Sequence, residues 1–145
     1  MDNHKGVLVC GEISEGKLAP ITIELLGVGR KLANELDEDL SILLMGSETG
    51  GLGQEAIAYG ADNVYLAEDS LLDHYNSDVY TQIAADLCRK VSPSIVLLGH
   101  TDIGCDLAPR LNARLGGGLA MDCLALSIDP ATKLLVSTRP VFGGN

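Results

Sequence analysis

Short apolar runs closed by glycine alternate along this chain with longer stretches whose apolar residues recur at steps of three and four. That alternation restricts the fold more than any other feature, because a period near two and a period near 3.6 cannot be satisfied by one kind of element. Val7-Leu8-Val9-Cys10, bounded by Gly6 and Gly11, reads as a strand buried on both faces. Residues 16–19 read as a loop, and Pro20 suits the first position of a helix in which Ile21, Leu25, Val28, Leu32 and Leu36 share a face. The same rhythm then repeats. Strands are expected over 40–45, 63–67 and 94–99, with a short helix ending at Tyr59 and Gly60. A helix carrying Val79, Ile83, Leu87 and Val91 ends at Ser92-Pro93, and a further one spans 102–115 with Leu107, Leu111 and Leu115 aligned. After the break at 116–118, two β-rich runs (122–128 and 133–138) flank the turn-like Asp129-Pro130-Ala131-Thr132 and predict a hairpin.

The expected class is α/β. We read a Rossmann-like three-layer sandwich with a mostly parallel sheet and helices on both faces. A C-terminal antiparallel hairpin is expected to add edge strands. The 145 residues form one domain, with no repeat, linker or low-complexity segment. The chain stops in turn chemistry directly after a strand, which suggests a cut at a domain boundary.

Ten basic against twenty acidic residues give a net charge of −10. A phosphate-neutralising face is therefore not expected, and with no Trp and one Phe there is little for bases to stack on. Nucleic acid is excluded as a partner. No apolar run approaches the ~20 residues of a membrane span, and no signal peptide precedes the first strand, so a cytoplasmic location is expected. Cys10, Cys88, Cys105 and Cys123 are scattered without CxxC spacing and read as reduced, buried or half-buried apolar residues, not metal ligands.

Three segments carry possible chemistry. The glycine-rich loop 46–53 lies between a strand and a helix, where backbone N–H groups can cradle a phosphate. It has neither GxGxxG nor a Gly-Lys-Ser/Thr ending, so a plain connection is the competing reading. Gly27-Val28-Gly29 falls inside a helical pattern and carries no nucleotide signal. The second segment, 99–110, begins at the carboxyl end of the fourth expected strand, where open α/β sheets bind ligands. Thr101 or Asp102 can cap the following helix, His100 can carry a proton, and Cys105 can be activated near the helix start. A Cys105/His100 hydrolase lacks any triad context. The bland reading makes these a cap, a loop residue and, at Arg110, a surface charge. The third segment, 138–145, places Arg139 beside a fixed-φ proline and includes Phe142 as an aromatic anchor.

Taken in order, Glu24-Leu25-Leu26-Gly27, Arg30-Lys31-Leu32-Ala33, Tyr59-Gly60-Ala61-Asp62-Asn63-Val64-Tyr65, Asp106-Leu107-Ala108-Pro109-Arg110-Leu111, Ala113-Arg114-Leu115-Gly116, Asp122-Cys123 and Thr138-Arg139-Pro140-Val141-Phe142-Gly143-Gly144-Asn145 resemble the α subunit of electron transfer flavoproteins over essentially the whole chain. The resemblance implies the N-terminal domain of an electron carrier that is not itself an enzyme. The full subunit is about twice this length, and its missing C-terminal domain holds FAD. No FAD ligand, catalytic residue or metal is therefore expected here. The implied partners are the β subunit and an acyl-CoA dehydrogenase or related flavoenzyme. In some relatives the β subunit carries a second FAD that takes hydride from NADH and splits the electron pair. His100, Thr101, Asp102 and Arg110, with Arg139, Phe142 and Asn145, are the expected interface positions. The alternative is an ATP- or AMP-binding regulatory domain of the universal-stress type, using loop 46–53 or the turn after residue 99.

Overall fold

The computed structural model describes residues 5–115 and, beyond them, the backbone of three strands, Ala120–Met121, Ala125–Ile128 and Leu135–Thr138. In chain order the elements are β1 (Val7–Cys10), β2 (Ile13–Ser14), β3 (Lys17–Leu18), α1 (Pro20–Leu36), β4 (Leu40–Gly46), α2 (Leu52–Ala58), β5 (Asn63–Glu68), a 3₁₀ turn (Ser70–Leu72), α3 (Ser77–Val91), β6 (Ile95–Leu98), α4 (Asp102–Leu115), β7 (Ala120–Met121), β8 (Ala125–Ile128) and β9 (Leu135–Thr138).

Five strands form one sheet in the order β5-β4-β1-β6-β7, and every pairing in it is parallel. Counting only these strands, the order is 3-2-1-4-5, that of a Rossmann-like sheet. Alternate side chains leave each strand on opposite faces, so each face acquires its own core. Val7, Val9, Leu40, Ile42, Leu44 and Leu97 pack with Leu26, Leu32 and Ala33 of α1 and with Ala56 of α2. Leu8, Cys10, Leu43, Val96 and Leu98 pack with Ala84 and Cys88 of α3 and with Leu107 and Leu111 of α4. The three layers follow from that division. Fully burying one Leu such as Leu26 or Leu111 contributes about 1.5–3 kcal/mol, so both faces are needed to hold the sheet.

The structure departs from the sequence expectations in four places. The 122–128/133–138 hairpin pairs as β8 with β9 in a sheet of its own instead of extending the main sheet, whose added edge strand is β7. Lys17 and Leu18, expected in a loop, pair with Ile13 and Ser14 in a tight antiparallel hairpin. Helix α1 presents Thr22, Leu26, Gly29, Leu32 and Ala33 to the core, while Leu25, Val28 and Leu36 are only partly buried at its edge. Gly29 is the reason for the rotated face: a Cβ there would stand 2.6 Å from Leu40 Cδ1, so glycine lets the helix lie close on the sheet. Similarly, α3 buries Tyr80, Thr81, Ala84, Ala85 and Cys88 and leaves Val79, Ile83 and Leu87 at the margin.

Candidate functional site

Strand β1 is the first in the chain and sits centrally, with β4 and β5 laid to one side and β6 and β7 to the other. The loops leaving β1 and β6 therefore diverge, and a crevice opens above the carboxyl ends of the strands. A cleft of about 730 Å³ occupies this position. Its floor includes Met45, Leu98 and Leu107, and its walls include the 46–51 loop, the β2–β3 hairpin turn and the start of α4. Five carboxylates line it (Glu12, Glu15, Glu48, Glu55 and Asp73), and none of the lining residues is Lys, Arg or His.

Contacts between distant residues hold this rim together. The Thr22 hydroxyl, buried in the first turn of α1, accepts from the Glu12 N–H at 2.7 Å and donates to the Glu12 C=O at 3.0 Å. It engages both backbone groups of the residue where the chain leaves β1, whose C=O also accepts from the Ala19 N–H at 2.9 Å. The Glu12 side chain then accepts from the Thr101 hydroxyl at 2.6 Å. Thr101 is the cap of α4: its Oγ accepts from the Gly104 N–H at 3.0 Å, and its C=O accepts from the Cys105 N–H at 2.7 Å. A Cβ on Gly104 would lie 1.8 Å from the Gly99 carbonyl oxygen, so only glycine permits the helix to start this close to the strand end.

Within the 46–53 loop, Thr49 turns its donors inward. The Thr49 N–H donates to Glu68 Oε2 at 2.7 Å, and the Thr49 hydroxyl donates to the same oxygen. These bonds, the hydroxyl's first, hold the Glu68 carboxyl below the usual carboxylate range. Opposite the loop, the Ser47 hydroxyl donates to Asp73 Oδ1 at 2.8 Å.

A second cluster joins α3 to α4. Asp106 Oδ2 accepts from the Ser77 hydroxyl at 2.6 Å and the Tyr75 hydroxyl at 2.7 Å, and Arg110 Nε approaches both carboxylate oxygens at 3.2 Å. The Ser77 and Tyr75 bonds are the largest causes that lower the Asp106 pKa to about 2. Partial burial, followed by the Asp106 contact, pushes the Tyr75 hydroxyl up to about 12.

The expected site residues fall into different surroundings. His100 is exposed after β6, Thr101 is engaged as cap and Glu12 partner, and Asp102 is exposed at the first position of α4. Arg110 is exposed and paired with Asp106. Arg139, Phe142 and Asn145 lie outside the described residues, as does Cys123. Cys10 and Cys88 are buried as expected, and burial raises both thiols, Cys88 to about 11. Cys105 is exposed, because its place in the first turn of α4 faces away from the Leu107/Ala108/Leu111 stripe. Among the described residues no group of three or more His, Cys, Asp or Glu is placed to hold a metal ion. No described helix is long and apolar enough to cross a membrane. Thr49 and Asp106 lie inside the candidate segments 46–53 and 99–110 but are not singled out there by sequence reasoning, whereas Glu12 and Glu68 fall outside every candidate segment; Glu12 at least directly follows the glycine that closes β1.

The sequence pattern of the electron transfer flavoprotein domain matches residues 7–145. The chain belongs to the electron transfer flavoprotein family. The electron transfer flavoprotein subunit alpha of Clostridium acetobutylicum is 41% identical over 143 residues, which is 99% of this chain and 43% of that protein. Protein FixB of Bradyrhizobium diazoefficiens is 39% identical, covering 99% of this chain and 39% of the relative. The LctC subunit of the lactate dehydrogenase (NAD(+),ferredoxin) of Acetobacterium woodii is 37% identical, covering 98% and 34%. The chain thus spans less than half the length of these curated relatives. The family's cofactor, a flavin dinucleotide, carries a pyrophosphate. The cleft does not fit that group: carboxylates line it, and the Thr49 and Gly104 amides at its edge are bonded within the protein.

Proposed function

We propose that residues 1–145 form the N-terminal scaffold and subunit-contact domain of an electron transfer flavoprotein α subunit. In this reading the heterodimer with a β subunit carries electrons through FAD held by the remainder of the α subunit. Donors are flavoenzymes of the acyl-CoA dehydrogenase type, and this domain helps fix the separation of the redox centres. The observation that carries the reading is the match to α subunits along nearly all of this chain but under half of theirs. The acidic cleft supports the division of labour, since it offers no subsite for a pyrophosphate. His100, Asp102 and Arg110 are the proposed contacts on the α4 side, with Arg139, Phe142 and Asn145 toward the flavin-holding part. Thr101 acts by fixing the turn that presents them.

The test is to mix the chain with a purified electron transfer flavoprotein β subunit and follow the mass of the complex by light scattering. An equimolar complex weakened by His100→Ala or Arg110→Ala is the expected result. Equal affinity for both variants and the parent would remove those residues from the interface. The universal-stress alternative has its own readout, retention of ATP or AMP by the pure chain, and the acidic lining argues against it.

A further inference from the structure

We propose that the free edge of β5, with the apolar side chains of α2 beside it, docks a second copy of this chain, which adds its own β5 antiparallel across a two-fold axis. β5 closes one side of the main sheet, and among the described residues only β4 pairs with it. The Asp62 N–H donates to the Leu40 C=O at 2.7 Å. Alternate residues of a parallel strand bond the same neighbour, so the backbone groups of Asn63, Tyr65 and Ala67 face the open side. Natural sheets protect such an edge with a lysine, a proline or a bulge. Neither a charge nor a proline stands between Asn63 and Ala67. Three of the four large apolar side chains that the described residues leave exposed gather here: Ile57 of α2, Tyr59 at its end, and Leu66. Gly53 shares a helix face with Ile57 one turn on, and a Cβ there would stand 3.6 Å from Val64 and 3.9 Å from Leu66, so α2 lies over that side of the strand.

Register and charge both select a second copy as the occupant. In a two-fold antiparallel pair the outward-facing residues stand opposite one another, and centring on Tyr65 gives the longest overlap. Tyr65 then meets its own mate, Asn63 meets Ala67, and Val64 meets Leu66. Directly opposite residues share a face, so Val64 and Leu66 of both copies join beneath the paired α2 helices. Tyr65 and Ala67 stay on the α3 side of the sheet, where both already pack. The same register sets Glu68 of one copy against Asp62 of the other. Asp62 already holds Arg30 Nη1 at 2.9 Å, so a guanidinium is in place to meet the incoming carboxylate. The inference does not rest on the scaffold role, since no β subunit takes part.

The test is sedimentation velocity of the reduced chain at physiological ionic strength, where a Debye length of about 8 Å screens the two net charges of −10. A seam of one strand and one helix end is smaller than a standard interface, so the expected dimer is weak, with Kd on the order of 10–100 μM. Leu66→Lys and Ile57→Lys, each entered twice by the two-fold, should weaken it about tenfold or more. Both side chains are exposed, so neither variant disturbs the core. Cys105→Ser, on α4 at the far half of the sheet, should leave association unchanged. In that background Tyr65→Cys should cross-link two copies under oxidised glutathione, because Cα atoms of a hydrogen-bonded antiparallel pair stand about 5.5 Å apart. Asn63→Cys should not, since its mate is Ala67. The proposal is overturned if the parent stays a single chain up to about 1 mM. It is also overturned if both lysine variants associate as the parent does, or if Asn63→Cys cross-links as readily as Tyr65→Cys.

Discussion

Replacing Gly104 with alanine tests the geometry of the cleft rim most severely. A Cβ at this position would meet the Gly99 carbonyl oxygen at 1.8 Å and the Gly99 carbonyl carbon at 3.0 Å. Both are backbone atoms, so no rotamer change gives relief, and α4 must move away from the end of β6 by more than an ångström. The move strains the packing of Leu107 and Leu111, a cost of about 1–3 kcal/mol for overpacking. It also loosens the Thr101 cap, worth about 1 kcal/mol. Alanine's better helix propensity returns about 1 kcal/mol. The net expectation is a loss of about 1–3 kcal/mol, which for a domain of this size lowers Tm by roughly 2–12 °C. Gly27, in α1, is the control, because a Cβ there meets nothing within 4 Å. Gly27→Ala should raise Tm by about 2–4 °C, the propensity term alone. Scanning calorimetry of both variants decides the matter. If Gly104→Ala melts at or above the parent, the close approach of α4 to the strand end is wrong.

Three further outcomes follow from the same structure. Asp106 has its pKa lowered from 3.8 to about 2, so its network contributes stability above pH 3.8 that is lost as pH falls toward 2. Urea denaturation should therefore find Asp106→Asn weaker than the parent at neutral pH and equal to it near pH 2; a gap unchanged with pH would contradict the assignment. Brief alkylation followed by peptide mapping should label exposed Cys105 in the native chain and leave buried Cys10 and Cys88 untouched until denaturant is added; native labelling of Cys10 at the Cys105 rate would refute the burial. Glu15 and Gly16 form the β2–β3 turn with φ of 52° and 74°, a conformation that suits asparagine or glycine. Glu15→Asn should stabilise the chain by about 0.5–1 kcal/mol in urea titration, and a loss of stability would show that the Glu15 side chain does more than close the turn.

Much of the fold is legible in the sequence because buried parallel strands and glycine or proline stops leave strong local marks. Val7–Cys10, Leu40–Gly46, Asn63–Glu68 and Ile95–Leu98 lie close to where the apolar runs put them. The helix faces were harder to read. The Ile21/Leu25/Val28 stripe is more apolar than the face that is buried, but Thr22 and Gly29 are buried for contact reasons that a hydrophobic period cannot register. The β2–β3 hairpin has strands of two residues, too short for any periodicity. The rim was least legible, since its defining bonds join residues far apart: Thr101 to Glu12 across 89 positions, and Thr49 to Glu68 across 19. Asp106 lay inside a segment chosen for its helix start, but its partners Tyr75 and Ser77 come from the polar stretch before α3 and from its first turn.

The most direct test of the account is a sedimentation equilibrium experiment on the chain alone and mixed with a β subunit, with flavin absorbance recorded in both samples. The account predicts that the chain alone sediments without flavin even when FAD is added, and that the mixture contains an equimolar complex. A chain that binds FAD stoichiometrically by itself, or that ignores the β subunit at every concentration, would contradict it.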